Sequence, residues 1–198
     1  MKMMFGGVLV GLGFGAATSL VNALSSPYAE LGAPLVGTVW AGAAKVLSLL
    51  MDAGWAWAAL PVALGRLAGT RVRGASVGAL ALIAATGAYY VTDAFAQDEP
   101  LALYTTEMVR WWAASVLFGP VLGVVGTAIG RPGLIGLLAA STVPVGAAVQ
   151  MAVLPSRPHL ASTPASVVAE VIVWTAAALG IGWAVHRFWT VRRAAMAG

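Results

Sequence analysis

The sequence predicts an all-α fold: a polytopic transmembrane helix bundle of about six spans plus one interfacial or re-entrant helix. Three observations carry that expectation. Apolar residues make up 60% of the chain and charged residues only 9%, against about 45–50% and about 25% in soluble domains. The apolar residues fall in long unbroken Ala/Leu/Val/Gly runs, whereas barrel strands would alternate over about ten residues. At about 20 residues per crossing, the chain has room for roughly five to seven spans and no second domain, so residues 1–198 form a single integral membrane domain. The net charge of +4 is no nucleic-acid footprint, because the basic residues border apolar runs. The chain has no cysteine, which removes disulfides, thiolate nucleophiles and Cys-ligated metals together.

Span 1 covers residues 5–24, with Gly7, Gly11 and Gly15 on one face, a spacing that lets a neighbouring helix approach closely. The small-residue site Val21-Asn22-Ala23 is weak and the apolar run is long, so this is an uncleaved span and not a signal peptide. Ser25-Ser26-Pro27 ends it. Residues 31–64 are too long for one crossing: ~34 residues at 1.5 Å each give ~50 Å against a ~30 Å core. The basic residues decide how to divide them. Lys2, Arg66, Arg71, Arg73, Arg131, Arg187, Arg192 and Arg193 all share the cytoplasmic side if one net crossing lies between residues 24 and 66, as the positive-inside rule requires. Residues 34–50 are then an interfacial or re-entrant helix and residues 53–66 span 2; two full crossings with the N-terminus outside is the alternative. Span 3 is residues 74–92 and span 4 residues 106–130, with Thr105 or Thr106 as N-cap. Pro120 interrupts span 4, and the pairs Gly119/Gly123 and Gly126/Gly130 predict close packing. Span 5 is residues 133–154; span 6 is residues 164–186, opening on a first-turn proline. Both termini are cytoplasmic, and the compartment is the plasma membrane.

Every one of the seven acids then falls outside or in the outer half. Glu30, Asp98 and Glu99 are solvated loop residues. Asp52 begins span 2, Asp93 ends span 3, Glu107 begins span 4 and Glu170 lies inside span 6. Residues three or four apart share a helix face. Trp55 therefore sits beneath Asp52, Tyr89 beneath Asp93, Trp111 beneath Glu107 and Trp174 beneath Glu170, so four helices each present an acid above a ring. Tyr90 and Asn22 join the same level; Arg110 is placed to pair with Glu107, and Lys45 with Asp52. Tyrosine and tryptophan also gather at membrane interfaces for their own amphipathic reasons. Glu170 differs: its neighbours Val167, Val168, Val171, Ile172 and Val173 are apolar, and an acid inside a span costs roughly 2.5–3.5 kcal/mol unless it faces protein or water. His186 reads as interfacial. Arg157 and His159 lie in the outer loop between spans 5 and 6.

A carboxyl among apolar groups has a raised pKa, so it stays protonated and can act as an acid, and aromatic faces stabilise cations. Three chemistries fit: protonation of an isoprenoid or other hydrophobic substrate by Glu170, Glu107, Asp93 or Asp52; proton-coupled transport; and binding of a cationic amphiphile. A structural subunit, with the glycine stripes of spans 1 and 4 facing a partner or a second copy, is a further alternative. There is no P-loop, HExxH or Asp-rich diphosphate motif, so no metal or cofactor is expected. The expected partners are a hydrophobic small molecule and the bilayer.

The segments GVLVGLGFG, WAWAALPVALGRLAG, RVRGASVGALALIAATGAYYV and WWAASVLFGPVLGVVG resemble, in order and character, a family of small uncharacterised actinobacterial integral membrane proteins. That resemblance implies a fold and no activity. In size, helicity and intramembrane acids the chain is also similar to small membrane-bound terpene cyclases of meroterpenoid and indole-terpenoid pathways. That similarity carries no residue-by-residue assignment.

Overall fold

The computed structural model describes residues 2–153 and 163–197; Arg157 and His159 lie outside the described residues. Seven α-helices follow one another among them. Helix α1 (Lys2–Ser25) stops at the Ser-Ser-Pro sequence, and a short 3-10 turn, Ala33–Leu35, leads to α2 (Val39–Met51). Thr38 caps α2 by accepting the Ala41 N–H at 3.4 Å. Helix α3 (Gly54–Ala68) ends on Gly69, which takes φ +75° and so turns the chain sharply. Thr70 then caps α4 (Arg71–Ala96) through the Arg73 N–H. Helices α5 (Thr105–Ala128), α6 (Gly133–Val153) and α7 (Pro164–Ala197) complete the chain.

Five of these, α1, α4, α5, α6 and α7, are long and apolar enough to cross a membrane. Helices α2 and α3 pass the same test only as a pair, bent by 63° at their junction. The chain is thus all-α and multi-pass. Two local expectations change. Asp52 does not begin the second span; it caps the C-terminus of α2, and the extended Ala53 separates it from α3. Nor does a threonine cap α5, because a 3-10 turn (Leu101–Tyr104) runs straight into the helix and puts Tyr104 at the cap position.

Helix α4 is the centre of the packing. Along one side α1 runs parallel to it, Gly7 meeting Val77, Gly11 meeting Ala81 and Gly15 meeting Ala85. Those three α4 residues have 0% exposure. On the other side α5 runs antiparallel, with Gly119 against Gly78 and Ala79, and Gly123 against Gly74. Helix α3 uses the same α5 stripe: Gly65 meets Gly123, and Gly126 meets Val62. A Cβ on Gly119 would lie 2.7 Å from the Ala79 Cα, inside van der Waals contact, so the backbones approach this closely only because side chains are missing. The glycine stripes of α1 and α5 are therefore filled within the chain and are not open faces for a partner.

Helices α6 and α7 form an antiparallel hairpin, Gly180 against Pro144 and Val173 against Ala147 and Met151. Arg187 ties the hairpin to α5 by donating to the carbonyls of Ile129 and Gly130, which the end of a helix leaves without internal partners. Helix α2 lies across one end of the bundle, bonded to α1 through Ser48 and Asn22 and packed on α7 through Leu50.

These pairings give the bundle two chemically distinct ends. Lys2, Arg66, Arg71, Arg73, Arg131, Arg187, Arg192 and Arg193 gather at the end where α1 starts and α7 finishes. Asp52, Asp93, Asp98, Glu99, Glu107 and Glu170 lie toward the other.

The glycine junction is directly testable. Gly123→Leu drives a side chain into the Gly74 carbonyl and should cost at least ~3 kcal/mol, the upper end of overpacking penalties. Gly13→Leu, which meets nothing within 4 Å, should leave the melting temperature of the detergent-solubilised protein unchanged.

Candidate functional site

Glycines draw α3, α4 and α5 together toward the basic end, whereas bulky residues occupy the same three helices toward the acidic end. Between them there lies a cavity of about 480 Å³, within the usual range for small-molecule sites. Five rings line it: Trp57 from α3, Tyr89 and Tyr90 from α4, Trp111 and Phe118 from α5. Gly54, Ala58, Leu82, Ala114 and Leu122 fill the wall between them. Asp52 borders the cavity from the break between α2 and α3 and is exposed, placing a carboxylate at the mouth. The spacing of Trp111, Ser115, Phe118 and Leu122 puts all four on one face of α5. Trp111 and Phe118 are each 56% exposed, so the cavity also opens sideways along α5.

The polar groups on the wall are few. Thr86 and Ser115, 3% and 5% exposed, face each other at 3.4 Å, and the Ser115 hydroxyl donates to the Trp111 carbonyl at 2.7 Å. The Trp112 indole turns away and donates to the Ile83 carbonyl at 3.0 Å, fixing α5 against α4. The rings form a continuous edge-to-face series. Phe14 meets Trp57 at 5.3 Å, Trp57 meets Tyr89 at 6.0 Å, and Tyr89 meets Tyr90 at 5.2 Å. Edge-to-face contacts of this kind favour a rigid wall.

A hydrogen-bonded network braces the cavity from behind. Ser48 of α2 donates to the Asn22 side-chain oxygen at 2.7 Å, and the Asn22 amide donates to the Tyr89 hydroxyl at 3.2 Å. One turn away, Asp93 accepts from Ser19 at 3.3 Å and from Gln97 at 2.9 Å. Gln97 also reaches the Tyr104 hydroxyl, which donates to Glu99 at 2.5 Å. Glu107 is held by Arg110 at 2.5 Å, with both side chains exposed. Arg110 offsets the Glu107 charge, whereas no cation forms an ion pair with Asp52 among the described residues.

The structure divides the residues singled out from the sequence. Asp52, Tyr89, Tyr90 and Trp111 line the cavity; Asp93, Asn22, Glu107 and Arg110 support or rim it. Glu170, Trp174 and Trp55 do not belong to it. Helix α7 packs chiefly on α6 and α2 and reaches the end of α5 through Arg187 at the basic end; half-buried Glu170 is not among the lining residues, and Trp174 is 46% exposed. Trp55 faces α6 and α7 beside Met151 and Val173, and its backbone N–H donates to Gln150 at 2.9 Å. The three-residue spacing from Asp52 to Trp55 carries no shared face because the helix breaks between them. No ion pair joins Lys45 to Asp52 among the described residues. Trp57, Thr86, Ser115 and Phe118 escaped a reading centred on acids. The α5 stripe from Trp111 to Leu122 and the three-residue step from Thr86 to Tyr89 were the signals for them.

Comparison of the chain with protein-family models, curated proteins and solved structures finds no match.

Asn22 is the node of the brace, and removing it leaves both Ser48 and Tyr89 without their partner. Asn22→Ala should lower stability by roughly 1–3 kcal/mol. A double-mutant cycle with Ser48→Ala, read by thermal unfolding in detergent, should show a non-additive coupling.

Proposed function

We propose that the protein is a plasma-membrane receptor site for a hydrophobic small molecule carrying a positive charge. The single observation behind this reading is the cavity with five aromatic walls and a carboxylate at its mouth. Aromatic faces attract cations through their quadrupoles, by about 0.5–2 kcal/mol per contact depending on hydration. Asp52 supplies a full charge at the entrance, and the apolar wall accepts the hydrocarbon. The sideways opening along α5 admits a molecule that already resides in the bilayer. With the basic end cytoplasmic, as the positive-inside rule favours, both termini are cytoplasmic and the cavity faces the outer leaflet.

Acid-initiated chemistry on an isoprenoid has less support. It needs a desolvated acid within the cavity, whereas Asp52 is exposed and neither Glu170 nor Glu107 is among the lining residues.

The test is saturable binding of radiolabelled dodecyltrimethylammonium to protein in nanodiscs, with dodecanol as neutral competitor. Asp52→Asn and Trp57→Ala should each weaken binding about tenfold, equivalent to ~1.4 kcal/mol, and dodecanol should compete poorly. Glu170→Gln should bind as the unmodified protein does. Undiminished binding by Asp52→Asn, or an equal loss in Glu170→Gln, would sink the reading. Orientation is checked separately in the cysteine-free chain. A cysteine at Gln97 should react with impermeant maleimide on intact cells, and one at Thr70 only after permeabilisation.

A further inference from the structure

The basic end of the bundle carries a second, unrelated arrangement. Arg66 at the end of α3 and Arg187 of α7 converge on one indole, their guanidinium carbons 5.7 Å and 5.8 Å from the centre of the Trp183 ring. Arg131, from the turn between α5 and α6, shares with Arg187 a small notch walled by Gly133, Gly136 and Phe188. Arg187 thus links Arg66, across Trp183, with Arg131, across the notch, and no described carboxylate forms an ion pair with any of the three. Arg187 is half satisfied by the carbonyls ending α5. Arg66 and Arg131 make no side-chain hydrogen bond among the described residues. Clustered cations without counter-charge repel one another, and guanidinium forks match phosphate oxygens in pairs.

We infer that this cluster is a binding site for the headgroup of an anionic phospholipid. A lipid fits better than a soluble phosphate because the arginines border an exposed apolar track. Leu179 is 69% exposed and Trp183, one turn further along the same face of α7, is 47% exposed. An acyl chain lies along that track while its phosphate meets Arg66, Arg187 and Arg131. The indole is flanked by two cations and so fixes both guanidinium planes beside the headgroup. Basic clusters between helices at a membrane surface attract anionic headgroups in this way. The rest of the basic end, including Arg71 and Arg73, contributes charge and no such convergence.

Native mass spectrometry of the delipidated full chain tests the site, with phosphatidylglycerol, phosphatidylcholine and glycerol 3-phosphate as separate probes. Phosphatidylglycerol should be retained in preference to the zwitterionic lipid, and glycerol 3-phosphate should bind weakly. The pair Arg66→Gln/Arg131→Gln should weaken phosphatidylglycerol binding by at least about tenfold. The pair Arg71→Gln/Arg73→Gln removes the same charge away from Trp183 and should retain most of the affinity. Arg187 is left in place because it holds α7 on α5; if the first pair does not fold, Arg66→Gln alone, at an exposed position, carries the comparison. Equal loss in the two pairs would reduce the site to a diffuse basic surface and overturn the inference. Glycerol 3-phosphate binding as tightly as the lipid would assign it to a soluble phosphate instead.

Discussion

Direct backbone contact along α4 is the constraint on which the remainder of the structure depends. Helix α1 on one side and α5 on the other approach so closely that glycines replace side chains at nearly every crossing point. In a membrane no hydrophobic effect drives helices together, so dispersion between closely fitted surfaces supplies much of the association. The glycines therefore do more than permit the fold. They set which helices are neighbours, in which direction each runs, and how near they come. Helices α3 and α4 both seat on the same α5 stripe, and toward the acidic end Trp57 of α3 meets Tyr89 of α4 while a gap is left beside α5. The aromatic cavity is the geometric remainder of that tight junction.

Much of this was legible in the amino-acid sequence, for identifiable reasons. Hydropathy located the long apolar helices, and the four-residue glycine spacing marked faces of close approach. The distribution of arginines and acids anticipated the two chemically different ends of the bundle. The break at Asp52-Ala53 was less legible, because a change of helix direction leaves only a faint mark among apolar residues. That break separated Trp55 from Asp52 and turned Trp57 toward the cavity in its place. Glu170 illustrates a second limit. Its apolar neighbours showed that it needed protein or water around it, but periodicity within α7 cannot say which helix α7 packs on. Because α7 docks on α6 and α2, the acid that stood out most in the sequence lies away from the cavity. Of the residues singled out from the sequence that line the cavity, Tyr89, Tyr90 and Trp111 lie on α4 and α5, and Asp52 lies at the break between α2 and α3.

The separation of charge also assigns different tasks to the two ends. At the acidic end the side chains bond to one another: Asp93 with Ser19 and Gln97, Glu99 with Tyr104, Glu107 with Arg110. Those bonds hold α1, α4 and the turn before α5 as a frame around the cavity. At the basic end the arginines lean on an indole and on carbonyls at the end of α5, so their charge is less completely matched within the chain. One end is tied together by hydrogen bonds with a single ion pair, Glu107 with Arg110, and the other holds arginines that no described carboxylate pairs.

The glycine junction also acts as a fulcrum. From Gly123 to Trp111 is about 18 Å along α5 at 1.5 Å per residue. A tilt of ~5° about the junction would therefore displace the Trp111 ring by ~1.5 Å at that lever length, about one carbon–carbon bond length. The width of the cavity mouth is thus set by small angular changes at a point far from it. The two helices are joined by glycines at one end and faced with rings at the other.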